Sequence, residues 1–333
     1  MKNTEIFNLI GGIESMGIKL PPKEMIVDEI IGKHKVISIA ADTNVGKSIW
    51  AHQLGLAIAV GKSEIFGFPI TKPKRVLFLN FEMDDNELIE RQQLLISRIP
   101  LKYRTNLDNF YFNTFNGKRT LFQDNWDRIE QTIKGNDAFD VIIIDNLYSC
   151  TGIDDEKNAH LKPLLETIIQ ITDINNSSLL IVNHHKKHFE SYILTPDLIR
   201  GGSTFSNAVD VIIQLAESLR QPGLRLMKIT KNRGKSPNKG KSFGMKLRDD
   251  LWFEMTGEVN ESYHLSAPTA TSEDERVLGA LDGEFGTRDF LGKTAELTTA
   301  TERTGHNRLK SLAKDGVIEK ISHGRFKKAE PVG

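Results

Sequence analysis

Short apolar runs alternate with longer amphipathic segments through the first half of the chain. The runs are seven or eight residues long and rich in Ile, Val and Leu: KVISIAA (35–41), RVLFLNFE (75–82), DVIIIDNL (140–147) and SLLIVNHH (178–185). Strands with nearly continuous apolar sequence are typical of parallel sheets that are covered on both faces. Their alternation with helical segments predicts an α/β fold with a mostly parallel central sheet.

Later segments add further strands and a second domain. The runs 210–218 and 224–233 predict a hairpin around the tripeptide Gln-Pro-Gly. Segment 257–271 is rich in Ser, Thr, Pro and acidic residues, which is typical of a linker. We therefore expect four parts in chain order: an N-terminal helical segment at 1–20, a core domain at 21–256, the linker at 257–271 and a small domain at 272–333.

The small domain has the pattern of a winged helix-turn-helix, with three short helices followed by two strands. Residues 286–329 carry ten Lys and Arg against five Asp and Glu, in a chain whose totals balance at 44 each. The segment 301–316 would be the recognition helix, and its candidates for DNA contact are Arg303, His306, Asn307, Arg308 and Lys310. Winged helices also dock proteins, so DNA and protein both stay open as partners.

Composition and charge give more information about the location of the protein than about its function. Because positive and negative residues balance over the whole chain, net charge gives no argument for nucleic acid, and only local charge is informative. Cys150 is the single cysteine, which excludes an internal disulfide and predicts a reducing, cytoplasmic location. The first twenty residues contain acids and lack a long apolar run, so we expect neither a signal peptide nor a membrane span.

The sequence ADTNVGKSIW (41–50) follows the first apolar run and opens a predicted helix, which is the context of a phosphate-binding loop. Ala41 stands where the standard pattern has its first glycine, and alanine is the next most compact residue. A chance Gly-Lys-Ser at a helix start is the alternative. As a phosphate loop, the segment binds ATP through Asp42, Thr43, Asn44, Val45, Gly46, Lys47, Ser48 and Ile49, with Lys47 on the outer phosphates and the Ser48 hydroxyl on Mg²⁺.

Two carboxylates end later apolar runs. Asp145 closes DVIIID, and a buried carboxylate there is costly unless it has a cation or donors, so we expect it to hold Mg²⁺. Glu82 closes RVLFLNFE, where it can take a proton from an attacking water molecule. The structural alternatives are an Asp that starts a turn and a Glu that starts a helix.

The segment RVLFLNFEMDDNELIERQ (75–92) resembles the second core strand of RecA-like hexameric ATPases, in which a glutamate at this place is the catalytic base. IVNHHKKH (181–188), IRGGSTFSNAVD (199–210) and ITKNRGK (229–235) resemble the sensor strand, the Arg-Gly-Ser segment and the basic finger of the same family. The resemblance covers about residues 20–250. It is closest to plasmid RepA-type replicative helicases, with DnaB-type helicases more distant.

The resemblance implies roles for further residues. His184 or His185 would sense the γ-phosphate, and we choose His185, although neighbours on a strand face opposite ways and one of the two is then packed or exposed. Arg200, Lys231 and Arg233 would be fingers that reach the nucleotide of a neighbouring subunit. A strand end exposed to solvent is the alternative for these basic residues.

The segment 230–246 contains no acidic residue and is interrupted by Gly and Pro, which predicts a mobile basic loop. Its Lys235, Lys239 and Lys241 are candidates for phosphate contacts to single-stranded DNA. We therefore expect an Mg²⁺- and ATP-dependent motor of the RepA-like type that forms a ring, expected to be a hexamer, on single-stranded DNA. The alternatives are a DNA-bound regulatory ATPase that uses the winged helix for site choice, and a RecA-like recombination ATPase.

Overall fold

A computed structural model describes most of the chain. The described residues are 10–20, 22–114, 125–146, 149, 163, 165–167, 169–170, 175–186, 193–266, 272–314 and 316–329. Cys150 and residues 1–9 of the predicted N-terminal segment lie outside them. No helix in these ranges is long and apolar enough to cross a membrane.

The strands of the core begin with a small hairpin and continue through the sheet. They are β1 (Met25–Val27), β2 (Ile31–Gly32), β3 (Val36–Ala41), β4 (Glu64–Ile65), β5 (Phe68–Pro69), β6 (Val76–Asn80), β7 (Phe110–Phe112), β8 (Val141–Asp145), β9 (Ser178–His184), β10 (Val211–Glu217), β11 (Leu224–Asn232), β12 (Ser242–Leu247) and β13 (Phe253–Glu258). The helices of the same part are α1 (Gly12–Gly17), α2 (Lys47–Val60), α3 (Asp85–Ser97), α4 (Leu101–Arg104), α5 (Asn125–Lys134), α6 (Gly202–Ala208) and α7 (Glu261–Leu265).

A nine-stranded sheet runs through the core in the described ranges. Its order is β13-β12-β11-β10-β3-β9-β8-β6-β7. Every pairing from β10 to β7 is parallel, and β11, β12 and β13 extend the sheet antiparallel from β10. The predicted α/β fold with a mostly parallel sheet is therefore confirmed. The predicted hairpin also forms, since β10 and β11 pair around the Gln-Pro-Gly turn.

Two hydrophobic clusters cover the sheet, because alternate side chains of a strand point to opposite faces. Ile37 and Ile39 of β3 belong to the larger cluster, in which α2 is buried along most of its length. Val36 and Ala40 of the same strand belong to the second cluster. The all-apolar strands predicted from the sequence are thus buried on both faces.

Helix ends at the sheet are set by local chemistry. Asp84 precedes α3 and accepts hydrogen bonds from the backbone N–H groups of Asn86 and Glu87, which stabilises the start of that helix. Gly61 ends α2 in the left-handed conformation, which glycine adopts without steric cost. Both helices therefore have fixed positions over the sheet.

The small domain has its own hydrophobic core. It contains α8 (Ser272–Gly279), β14 (Glu284–Gly286), α9 (Thr287–Leu297), α10 (Glu302–Lys314), β15 (Ile318–Ser322) and β16 (Arg325–Lys328), and its strands pair in the order β14-β16-β15. The predicted linker differs from the structure, because 257–271 includes the end of β13 and all of α7. The polar residues of this segment lie partly at the exposed end of β13 and partly in the short helix α7, which Asn260 caps.

Candidate active site

The carboxyl ends of four parallel strands meet at one edge of the sheet, which we call the carboxyl edge. Ala41 at the end of β3 lies beside His184 of β9, and Asn80 of β6 lies beside Asp145 of β8. Polar side chains that leave these ends converge above the first turn of α2. Sheets of this kind bind ligands outside their carboxyl ends.

The phosphate loop joins β3 to α2 at this edge. Asn44 and Gly46 have positive φ angles of 66° and 102°. At Gly46 a β-carbon would also come within 2.8 Å of the Phe253 ring, so glycine is required there by backbone conformation and by space. The loop holds its curved shape against β13 and leaves the N-terminus of α2 open, which suits the binding of phosphate anions.

Lys47 is buried, with 6% of its surface exposed, and its Nζ donates a 2.7 Å hydrogen bond to the carbonyl oxygen of Asp42. Burial lowers the pKa of Lys47, and the carboxylates of Glu82, Asp145 and Asp42 oppose that shift. The ammonium group therefore lies inside the loop, between the groups that would surround a phosphate.

Ser48 and Asp145 form the second pair that the sequence predicts. The Ser48 hydroxyl donates to Oδ1 of Asp145 at 3.1 Å. Oδ2 of Asp145 is buried and has no hydrogen-bond partner within the described ranges, and burial, then Glu82, raises the pKa of this carboxyl group to about 7. A divalent cation beside the hydroxyl would satisfy the free oxygen and favour the ionised form.

The donor set fits Mg²⁺ only together with a nucleotide. Within the described ranges no three His, Cys, Asp or Glu side chains form a metal site by themselves. Mg²⁺ is usually bound by one or two protein ligands plus water and substrate phosphates, and Ser48 with Asp145 supplies that small protein share. Bound Mg²⁺-ATP would supply the transferable phosphoryl group and the cation that offsets its charge.

Glu82 lies across the same site. Its Oε2 accepts a 2.8 Å hydrogen bond from Nδ2 of Asn146, and that amide nitrogen also lies 3.5 Å from Nε2 of His184. The side chain of Glu82 is exposed, so water can reach the carboxylate. Asn146, which is nearly fully buried, thus links the predicted base to the histidine at the end of β9.

The two neighbouring histidines face different partners. His184 faces Asn146 and is close enough to Lys47 for the ammonium to lower the histidine pKa, after the larger effect of burial. His185 is buried and contacts Gln214 of β10 and Asp42 of the loop. The geometry therefore favours His184 for a contact with the γ-phosphate, in place of the predicted His185.

The predicted fingers are divided between the two edges of the sheet. The backbone of Arg200 donates to the carbonyl oxygen of His184, which places this residue at the carboxyl edge of its own subunit. Lys231 and Arg233 lie at the opposite edge, where Asn232 pairs with Val211 at the start of β10. A strand of this length spans ~17–20 Å, so these two side chains lie far from the phosphate loop of their own subunit.

At that opposite edge, which we call the amino edge, the finger candidates contact the end of α6. Nζ of Lys231 donates to the carbonyl oxygens of Ser206 and Val209. Arg233 donates to the carbonyl oxygen of Asn207 and forms an ion pair with Asp210 at 3.4 Å. Both therefore lie on one side of the strand, as their spacing of two residues requires.

The expectation of a mobile basic loop is wrong. The carboxylate of Glu29 accepts hydrogen bonds from the Ser236 hydroxyl at 2.6 Å and from the backbone and side chain of Asn238 at 3.0 and 2.8 Å. A distant acid thus anchors the segment, which local sequence could not reveal. Lys235, Lys239 and Lys241 are exposed, and Lys241 lies 3.8 Å from Glu258.

The structure places the candidate DNA contacts of the small domain in different surroundings. Arg303 and Lys310 are exposed on α10. Arg308 instead forms ion pairs with Glu273 at 2.7 Å and Asp274 at 3.7 Å. The structure therefore assigns Arg308 to the contact between α8 and α10, and a DNA contact would require those pairs to break.

Sequence reasoning missed three side chains near the loop. Asn146 links Glu82 to His184, and the Phe253 ring covers Gly46 from β13. Arg91 of α3 is partly buried; its Nη1 has no hydrogen-bond partner within the described ranges, and its charge interacts with Asp145 and Glu82. No local pattern marked Arg91, because the buried residues of α3 are Leu88, Gln92 and Leu95.

Comparison with known proteins agrees with this geometry. The AAA_25 family model, described as an AAA domain, matches residues 13–189, which is just over half of the chain. The chain belongs to this AAA-domain family. The match includes the phosphate loop, Glu82, Asp145 and both histidines, so it covers the residues that meet at the carboxyl edge.

Comparisons with solved structures and with curated sequences give less information about this AAA-domain protein than the family match does. A RadB recombinase matches with a TM-score of 0.46 and 17% identity, over 67% of this chain and 90% of its own. A KaiC-like protein from the archaeon Pyrococcus horikoshii OT3 matches with a TM-score of 0.49 and 15% identity, over 69% and 93%. No curated protein sequence gives a significant match.

Proposed function

We propose that the protein is an ATP-driven DNA motor of the RepA-like helicase type, which acts as a ring on single-stranded DNA during replication of a plasmid or other mobile element. One observation carries the proposal. Each subunit has a phosphate site at the carboxyl edge that lacks a close cation from the amino edge, and it offers Lys231 and Arg233 at that amino edge. The two edges are complementary between neighbouring subunits.

Within one subunit, each residue at the carboxyl edge would have its own role in hydrolysis. Lys47 would neutralise the outer phosphates, and Ser48 with Asp145 would hold Mg²⁺. Glu82 is placed to accept the proton of an attacking water molecule. His184, joined to Glu82 through Asn146, is the proposed sensor of the γ-phosphate, and Arg200 lies next to it along the backbone.

The neighbouring subunit would supply Arg233, with Lys231 beside it. A guanidinium group stabilises the charge that spreads over the transferring phosphoryl group, an effect of roughly 10³–10⁵ in rate for arginine fingers. Arg233 is about half exposed, and its side chain contacts the carbonyl oxygen of Asn207 and the carboxylate of Asp210 at 3.4 Å, which it would exchange for a phosphate. Exposed Lys235 and Lys239 are proposed to contact DNA phosphates.

The same complementarity supports a second candidate, a recombination ATPase. A head-to-tail interface closes into a ring if its rotation closes, and otherwise it builds a helical filament. A regulatory ATPase would assemble in the same way but would not move on DNA. The interface geometry alone favours none of the three assemblies, so activity must separate them.

The test is ATPase activity with and without single-stranded DNA, measured alongside native mass, electron microscopy and strand unwinding. The motor predicts stimulation by DNA, ring-shaped particles and unwinding that a Glu82→Gln variant lacks. Filaments without unwinding would favour the recombination ATPase. Assembly without unwinding or DNA stimulation would favour the regulatory ATPase. An ATPase that stays monomeric under all these conditions would contradict all three.

A further inference from the structure

His185 lies in a polar cluster that the proposed hydrolysis does not use. Its ring is buried between the phosphate loop and β10, with Nδ1 3.5 Å from Oδ1 of Asp42 and Nε2 3.1 Å from Nε2 of Gln214. Its backbone N–H donates to the carbonyl oxygen of Ala41 at 3.2 Å. His185 thus contacts the last residue of β3, Ala41, the first loop residue, Asp42, and Gln214 of β10.

The partners define the protonation of the ring. With the amide nitrogen of Gln214 facing the ring, the amide donates and Nε2 of the imidazole accepts. A neutral ring then carries its proton on Nδ1, which faces the carboxylate of Asp42. This 3.5 Å contact is reflected in Asp42, whose pKa is lowered first of all by His185. Gln214 is fully buried in the sheet, so this orientation has a rigid support.

Asp42 in turn holds the lysine of the loop. Its carbonyl oxygen is the acceptor of the Lys47 ammonium at 2.7 Å. Its carboxylate would repel bound phosphates if it turned towards them, since charges of the same sign interact strongly near a partly buried site. The Asp42 side chain is largely exposed, and its contact with Nδ1 of His185 lies on the side of the sheet. The position of Asp42 therefore affects both the lysine and the charge that a nucleotide meets.

We propose that His185 is a positioning residue of the phosphate loop, which fixes Asp42 and through its carbonyl group the ammonium of Lys47. The proposal rests on the proposed nucleotide site, and it gives His185 a role different from a γ-phosphate sensor. A positioning residue of this kind affects the binding of ADP and ATP alike. A sensor affects only the state with a γ-phosphate.

The test compares three variants by the binding of fluorescent ADP and ATP analogues and by the steady-state rate. His185→Phe fills the site without a donor, and we expect both dissociation constants and KM to rise about tenfold, the size of one lost charge-assisted hydrogen bond, with kcat within about threefold of the parental value. His185→Asn can place an amide N–H near the position of Nδ1 and should recover most of the affinity. His184→Asn should show the opposite pattern, with lower kcat and parental ADP binding.

Gln214→Met adds a fourth variant, because it removes the donor behind the ring while it keeps the length of the side chain. It should weaken both nucleotides in the same direction, and thermal unfolding will show whether either substitution disturbs the fold. If His185→Phe lowers kcat and leaves ADP binding unchanged, His185 is a sensor and the proposal is wrong. Parental affinity for both nucleotides in folded His185→Phe would also overturn it.

A readout without nucleotide separates this inference from the proposed function. Nitrogen NMR of histidine-labelled protein should show His185 as the neutral ring with its proton on Nδ1, and Asp42→Ala should weaken that preference. A proton on Nε2 in the parental protein would overturn the inference. A parental protein that binds neither ADP nor ATP would refute the proposed function, whatever the state of the ring.

Discussion

The two edges of the central sheet are built in different ways. At the carboxyl edge, Lys47 and Asp145 are buried and share a small space with Ser48. At the amino edge, Arg233 is about half exposed; it donates to the carbonyl oxygen of Asn207 and pairs with Asp210 at 3.4 Å. Buried charges of the first kind have few alternative arrangements, whereas exposed charges of the second kind can change partners at little cost.

This difference indicates how subunits would meet. The proposed phosphate site at one edge and the proposed finger at the other would form an interface between two unlike surfaces. Such an interface is head-to-tail and gives a ring or a filament, but not a closed symmetric dimer. The hydrogen bonds of Glu29 to Ser236 and Asn238 support this view, because they would hold the segment after Arg233 at the amino edge before assembly.

The largest effect is expected for Lys47→Ala, which removes the ammonium at the centre of the carboxyl edge. Nucleotide binding and turnover should both be lost, with turnover lower by roughly 10⁴-fold or more, because ground-state and transition-state contacts disappear together. Fluorescent-nucleotide titration and phosphate release measure the two effects. Exposed Lys72 offers the matched control, and its alanine variant should behave like the parent. Parental turnover in Lys47→Ala would refute the nucleotide site.

Glu82→Gln should separate binding from chemistry at the same edge. The amide keeps the contact range of the side chain but cannot accept a proton, so turnover should fall about 10²–10³-fold while nucleotide affinity stays near the parental value. Glu90→Gln on the exposed face of α3 serves as the control. Hydrolysis at the parental rate in Glu82→Gln would show that another group is the base.

Mixing two inactive variants tests whether the carboxyl edge of one subunit meets the amino edge of its neighbour. Arg233→Ala subunits keep the phosphate site and lack the finger, while Lys47→Ala subunits keep the finger. In an equal mixture, random assembly joins an intact site to an intact finger at about a quarter of head-to-tail interfaces, and activity should reappear in that proportion. Activity that stays flat at all ratios, with subunit exchange confirmed by native mass, would place Arg233 outside the neighbour's site.

Sequence patterns predicted the carboxyl edge well because its chemistry is local. The loop ADTNVGKS, Asp145 and Glu82 each follow an apolar strand, and parallel strands bring their carboxyl ends together. The choice between His184 and His185 depended on side-chain direction across β9 and on Gln214, which is 29 residues away. Glu29 lies more than 200 residues from the basic loop that it anchors. Contacts of this range leave no trace in local periodicity.

A smaller effect is expected from acid, and it acts on the helices that carry the carboxyl edge. His52 of α2 is buried between the rings of Phe78 and Phe110, and burial lowers its pKa to about 4 from the ordinary value of 6.5. The folded protein keeps this ring neutral, while the unfolded chain takes up a proton below about pH 6.5. The free energy of unfolding should therefore fall between about pH 6.5 and pH 4, by about 2 kcal/mol at pH 5 from this residue.

Urea unfolding of the parent and of His52→Gln at pH 7.5 and pH 5 measures this contribution. The variant cannot titrate at this position, so it should lose less stability than the parent between the two pH values. Because other groups titrate equally in both proteins, the difference isolates His52. An identical loss in both would mean that the ring is protonated without cost in the folded state.

The smallest effect on turnover is expected from deletion of residues 272–333. This part has a separate hydrophobic core, and the catalytic candidates of both edges precede residue 250, so basal turnover should change by less than about twofold. Gly316 packs on Tyr263 of α7, so the cut removes this contact at the outer end of the core. If exposed Arg303 and Lys310 contact DNA, duplex binding should weaken in the same protein, as gel-shift titration at fixed salt would show. Unchanged duplex affinity would favour a protein partner for the small domain. Loss of basal turnover would show that the small domain acts on the carboxyl edge, and would overturn its separation from the ATPase core.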